Sequence, residues 1–302
     1  MQPTFITCWI GNNDVLTYAT NGGLLIFNGT AVPIEPTSSA QFNNLYGQLG
    51  DSLASLGANV VVANIPDVTT IPFFTTIGSK FALAAPWGYF KSLGLPGFCY
   101  GHHESGATGV ADSSSLANLN VLITLEGQSA LAFIGDTTGA YYTLNQIPVP
   151  AGVYIKAPFG LHPLNPFPDQ FVLDPVEIQT ASNAVSAFNS TILTIANTKG
   201  FGLVDMNNVL KNIFTSGGGM YYGANLSSTF ISGGLFSLDG IHPTSRGQGL
   251  IANEFLKVIN AKYGSNFPLL NLGSIPGSIL LGKKNISDNF EFNNIDWRNF
   301  SL

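Results

Sequence analysis

The run Asn59-Val60-Val61-Val62-Ala63 constrains this chain more than any other five residues. It is apolar without alternation. It follows a segment in which Phe42, Leu45, Leu49, Leu53 and Leu56 recur at helical spacing before Gly57. A strand that is apolar throughout is buried on both faces, and a helix arriving just ahead of it marks a parallel sheet covered by helices on either side. Residues 4–10 and 201–204 read as two more buried strands. The second follows a strong helix start at Asp174-Pro175-Val176-Glu177, where Asp can cap, Pro suits the first turn and Glu177 sits at the capping-box position. Ala181, Val185, Phe188 and Ile192 mark the buried face of that helix, and Gly200 its end. A last helix over about 245–262 turns Leu250, Ile251, Phe255, Val258 and Ile259 inward. The class these elements predict is α/β.

Two stretches break the pattern. Residues 20–40, with Gly22-Gly23, Pro33 and Pro36, read as loop. From about 74 to 173, Gly and Pro punctuate short apolar runs at 120–125, 130–134 and 153–157. This stretch reads as an irregular, β-rich insertion on the α/β core.

A chain of 302 residues is long enough for one large domain carrying such an insertion. Only 9% of its residues are charged and the formal net charge is −6, which leaves no basic stripe for nucleic acid. No apolar run approaches the roughly 20 residues of a membrane-spanning helix. Met1-Gln2-Pro3 leads into the first strand with no basic segment of a signal peptide. The expectation is a truncated form of a longer, exported protein. Cys8 and Cys99 are the only cysteines, and Cys8 lies in an apolar run, as a free buried thiol would. Asn28-Gly29-Thr30 and Asn189-Ser190-Thr191 match glycosylation sequons, a pattern that arises by chance in Asn-rich sequence.

Chemistry concentrates in two short motifs. Gly11-Asn12-Asn13-Asp14 ends the first strand, and Asp239-Gly240-Ile241-His242-Pro243 precedes the last helix. In an open parallel sheet, functional groups collect beyond the carboxyl ends of the strands. Asn13 offers an amide N–H suited to an oxyanion, His242 a base near neutral pH, and Asp239 an acceptor for the other ring nitrogen of His242. Each has a plainer reading as a cap or a turn residue; their matching topological positions favour the chemical one.

On these two motifs the chain resembles the SGNH/GDSL hydrolases, esterases and lipases on a flavodoxin-like α/β fold. The first matches the family's Gly-x-Asn-Asp block, which places Gly11 and Asn13 at the oxyanion hole. The second matches its last block, which makes Asp239 and His242 triad members. Residues 58–69, ending in Asn64-Ile65-Pro66-Asp67-Val68-Thr69, are similar to large members from Bacteroidetes-type bacteria. The resemblance implies a three-layer parallel sheet, a single hydrolase domain over 1–302 with the insertion at about 74–173, a small-molecule or lipid ester substrate, and no metal or organic cofactor. The family's two earlier blocks, one of them carrying the nucleophile, have no counterpart in the ten residues ahead of Gly11, and the first two strands of the sheet are missing with them. The edge of the strand at 4–10 is then expected to be covered by a second copy of the chain, the insertion, the tail after Pro268 or a separate peptide.

The nucleophile is therefore unassigned. Gly50-Asp51-Ser52-Leu53 spells the family's first block, but it lies mid-helix, where a serine bonds back to its own backbone. Gly135-Asp136-Thr137 is a weaker candidate. His102, His103 and Glu104 read as a solvated loop, with a substrate-lining or metal role as the sharper alternative. His162, between Leu161 and Pro163, reads as packing or loop. Phe73, Phe74, Trp87, Tyr89 and Phe90 read as packing, or as walls of an acyl pocket. Two functions stay open: an ester hydrolase that is weak or inactive in this chain alone, and a non-catalytic binding or structural module that keeps the fold.

Overall fold

The structure is a computed structural model that describes residues 3–27, 30–103 and 106–276. The three apolar runs form one parallel sheet. Its elements, with the helices that matter here, are β1 (Phe5–Cys8), α1 (Asn13–Thr20), α2 (Ser39–Ser55), β2 (Asn59–Ala63), α3 (Pro175–Lys199), β3 (Gly202–Val204), α4 (Met206–Thr215) and α5 (Ser245–Tyr263). The order is β1-β2-β3, and both pairings are parallel. Ile6 lies opposite Val60, Cys8 opposite Val62, and Val62 opposite Leu203.

Val60, Val61, Val62 and Ala63 are all buried, so both faces of β2 are covered, as its unbroken apolar run requires. Val61, Ala63 and Val204 pack with Ile251, Phe255 and Ile259 of α5. The opposite face holds Cys8, a neighbour of Tyr46 of α2. There α2 and α3 meet through Phe42 and Phe188, stacked with centroids 4.1 Å apart. The hydroxyl of Tyr263 ties α5 to the sheet, donating to the Val60 carbonyl at 2.7 Å.

The helix over 39–55 forms, with Phe42 buried and Leu49 and Leu53 half-buried as their spacing predicts, but the buried stripe is turned away from Leu45 and Leu56. Phe42, Tyr46 and Gly50 face inward, while Leu45 and Leu56 are about half exposed. Both stripes have helical spacing, so periodicity could not choose between them. Close approach of α3 decided: a Cβ on Gly50 would stand 2.5 Å from Cγ2 of Ile195. Only a residue without a side chain admits α3 there.

The chain divides into two compact units. One holds described residues 3–18, 35–72 and 179–276; the other holds 19–27, 30–34, 73–103 and 106–178. The second unit corrects two expectations. Residues 20–40 contain an antiparallel hairpin, Leu24–Phe27 with Thr30–Pro33. The stretch 74–173 is not mainly β: among its described residues are the helices Ile77–Ala84, Trp87–Ser92, Ser113–Ala117, Gln128–Leu131 and Ala140–Leu144. Its strands are the hairpin Phe98–His102 with Ala107–Ala111 and a two-residue pairing of Leu122–Ile123 with Val172–Leu173. The run at 130–134 falls in and after a helix, and 153–157 lies in no strand. Runs this short carry no period that tells a buried strand from a buried helical turn.

An aromatic core holds this unit together. Phe98 packs on Phe167 with centroids 5.1 Å apart, and Tyr141 stacks on Phe159 at 4.6 Å. Phe73, Phe74 and Phe90 are buried and Trp87 packs against the core, so these rings do packing work; Tyr89 is partly exposed. Cys8 and Cys99 are both free thiols.

Truncating the α2–α3 contact tests the first unit. Phe188→Ala removes a fully buried ring and is expected to lower stability by about 3–5 kcal/mol, read as a drop in the urea midpoint with an unchanged slope.

Candidate functional site

The segment before α5 is shaped by its own side chains. Phe236 bridges Pro243 in antiparallel fashion, and the Ser237 N–H donates to the His242 carbonyl at 2.7 Å. Between them Asp239 closes the turn. Its Oδ1 accepts from Ser237 Oγ at 2.6 Å and from the N–H groups of Ile241 and His242, each at 2.9 Å. Its Oδ2 lies 2.6 Å from Nδ1 of His242. Thr244 then caps α5, accepting from the Gly247 N–H at 3.1 Å and donating to the Gly234 carbonyl at 2.6 Å. Burial works against ionising Asp239. The Ser237 hydroxyl, the Ile241 N–H and the ring and N–H of His242 outweigh it and hold the carboxyl well below the usual range. A carboxylate fixed in this way orients an imidazole and supports its role as a base.

The strand ends supply the rest. Beyond β1 the Trp9 indole N–H donates to the Asn64 carbonyl at 3.0 Å, joining the loops after β1 and β2. Asn64 in turn donates to Asp205 at 2.7 Å and accepts from the Asn207 N–H at 2.9 Å, which adds the end of β3. Asn189 clamps the next residue from α3: it accepts from the Ile65 N–H at 2.7 Å and donates to the Ile65 carbonyl at 2.8 Å. This polar brace was not legible in the sequence beyond an abundance of Asn. It also commits the Asn189 amide of the sequon to the fold.

A cleft of about 280 Å³ opens beside this brace. His242 lines it, and so do Asn12 and Asn13, with Trp9, Leu16, Val68, Ile71, Leu235 and Phe236 making most of its wall apolar. The amide side chain of Asn13, at the first turn of α1, has no hydrogen-bond partner among the described residues and is exposed. Two groups from opposite ends of the sequence therefore meet in one cavity. Gly11 does not line it. Its φ of +107° makes the turn into α1, and a Cβ there would come within 2.8 Å of Ile65 Cδ1, so the glycine serves packing.

Among the described residues, no serine, threonine or cysteine lines the cleft. Ser52 is exposed on α2 and its Oγ donates to the Gln48 carbonyl at 2.8 Å, the back-bonding expected of a mid-helix serine. It does not sit on a buried face. Asp136 is spent on the turn before residues 140–144, accepting from the N–H groups of Gly139 and Ala140, each at 2.8 Å. Ser237 was overlooked in the sequence. Its hydroxyl supports Asp239, and its spacing two residues ahead of an Asp-Gly turn is the signal that could have found it.

His102 and His103 are not the solvated loop the sequence favoured. They close the Phe98–His102 strand with largely buried rings, and they face carboxylates: His102 Nε2 is 3.0 Å from Asp174, and His103 Nδ1 is 2.8 Å from Asp169. Glu104 lies outside the described residues. His162 accepts from the Leu164 N–H at 3.1 Å within a turn.

No protein-family model, curated protein or solved structure matches the chain.

The depressed carboxyl gives a test with a definite sign. Followed by NMR on acidification, the Asp239 carboxyl carbon should titrate below about 3.9, the value of an unconstrained aspartate. Because the folded value is the lower of the two, the stabilisation is complete above that pH and is lost as pH falls through the folded midpoint. Ser237→Ala should move the midpoint upward.

Proposed function

We propose that the cleft is the acid–base half of a carboxylic-ester hydrolase site of the SGNH/GDSL type, on a sheet of flavodoxin-like arrangement. The observation that carries this reading is the Asp239–His242 pair, 2.6 Å apart, sharing its cavity with Asn13. In this assignment Asp239 fixes the ring of His242. His242 takes the proton of the attacking hydroxyl and returns it to the leaving alcohol, and Asn13 donates to the oxyanion. The apolar wall suits the acyl or alcohol part of a small-molecule or lipid ester. On the same reading the chain is one hydrolase domain, and the helix-rich stretch over 74–173 is its insertion.

The nucleophile is the missing part. A serine brought to this cleft by another polypeptide segment would complete the site. Within these residues His242 can at best activate water. Sites stripped of one triad member keep roughly 10³–10⁴ over the uncatalysed rate. β1 has a strand partner on one side only among the described residues. The same segment, or a second copy of the chain, would cover that edge.

A second reading has its own support. A cleft walled by apolar groups and lined, among the described residues, by no serine, threonine or cysteine fits a binding module that kept the fold without the chemistry.

Hydrolysis of p-nitrophenyl acetate separates the two. The hydrolase reading expects a slow rate that falls to background in His242→Ala and is unchanged in Ser52→Ala. A rate indifferent to His242 favours the binding module. Serine labelling by a fluorophosphonate, lost in Ser52→Ala, would overturn the assignment of Ser52 as a helix residue without a chemical role.

A further inference from the structure

The second unit holds a compact group of donors that the hydrolase reading does not use. His103 follows the strand Phe98–His102, Asp169 opens the 3₁₀ turn Asp169–Phe171, and Glu177 lies in the first turn of α3. Asp169 Oδ2 is 2.8 Å from His103 Nδ1, and Glu177 Oε1 is 3.6 Å from the same nitrogen. The three donor atoms all lie within 4.8 Å of one another. From this geometry we infer that His103, Asp169 and Glu177 form a binding site for a divalent transition-metal ion, zinc foremost.

Four observations support the site. First, the donors are an imidazole and two carboxylates, the nitrogen–oxygen set that zinc accepts from three protein ligands, with a fourth position left for water. Tetrahedral zinc at its usual bond lengths separates ligand atoms by about 3.3 Å. The observed distances reach that geometry with shifts of about 0.3 Å to at most about 1.5 Å. Second, the donors are held from outside. The second Glu177 oxygen accepts from the Asp174 N–H at 2.8 Å, and Asp169 Oδ2 also accepts from the His103 N–H at 2.8 Å. Such contacts aim the atoms that would hold a metal. Third, the group is sheltered: the side chains of His103, Asp169 and Glu177 are 14%, 15% and 2% exposed. Asp174 adds a third carboxylate, 3.0 Å from His102. Fourth, Gly23 seals the group. A Cβ there would lie 2.8 Å from His103 Cε1 and 3.1 Å from Glu177 Oε1.

Bound metal would join three segments distant in sequence, so binding would also stabilise the fold. The test uses the full chain, stripped with EDTA and titrated with zinc chloride by calorimetry at pH 7. One equivalent should bind, and an excess should raise Tm by about 5 °C. His103→Ala and Glu177→Gln should each weaken binding at least tenfold. Gln keeps an oxygen for the Asp174 N–H, so Glu177→Gln isolates the lost ligand charge from the lost helix cap. His102→Ala and His242→Ala, which remove imidazoles outside the donor set, should change affinity less than threefold. Absence of binding, or binding that His103→Ala and Glu177→Gln leave intact, would overturn the inference.

Discussion

The parallel sense of β1, β2 and β3 is the constraint on which the first unit depends. Strands that run the same way end at the same edge, so the segments that follow them must collect there. Trp9, Asn12 and Asn13 follow β1, Pro66 and Val68 follow β2, and Leu210 lies on the helix after β3. All of them line one cavity. An antiparallel sheet of the same strands would send half of these groups to the other end. The apolar run of β2 enforces this arrangement, because a central strand with no polar face must be covered by helices on both sides.

The cleft is assembled by polar contacts rather than by the sheet alone. Backbone groups at strand ends lose their ladder partners and must find others. Asn64, Asn189, Asp205 and Asn207 supply them, and in doing so fix the height of the loops around the cavity. The turn at 237–242 solves the same problem locally. One carboxylate satisfies two backbone N–H groups, a hydroxyl and a ring nitrogen, which leaves His242 aimed by its neighbours while still largely open to solvent. The result is an imidazole oriented in a pocket that no serine, threonine or cysteine lines among the described residues.

The second unit reaches stability by another route. Its helices have four to eight residues, too short to stand on propensity, and its strands pair in twos. Interlocking rings take the place of long regular elements. Phe98, Phe159 and Phe167 are almost fully buried, and Asn165, also buried, joins the Tyr142 hydroxyl to the Ala157 carbonyl. The capping box of Asp174 and Glu177 lies in this unit. Each residue spends one oxygen on the helix start and turns the other toward a histidine. A motif readable as a cap is thus also the wall of a charged cluster.

The sequence by itself determined the elements whose signals are local and redundant. The buried strand at 59–63, the capped start at Asp174 and the turn at Asp239 each rest on neighbouring residues whose preferences agree, so each could be read before any fold was known. Tertiary structure alone decided which stripe of α2 faces inward, because two stripes share one period and only the approach of Ile195 to Gly50 separates them. It also decided what the short runs at 74–173 become, a strand at Leu122–Ile123, a helical turn at Gln128–Leu131 and no regular element at 153–157, since so few apolar residues carry too little periodicity to fix their own conformation. And it alone brought His103 to Asp169 and Glu177, whereas the parallel sheet legible in the sequence already pointed to Asn13 and His242 at one edge. Long-range proximity is set by how elements pack, and no local preference of the chain encodes it.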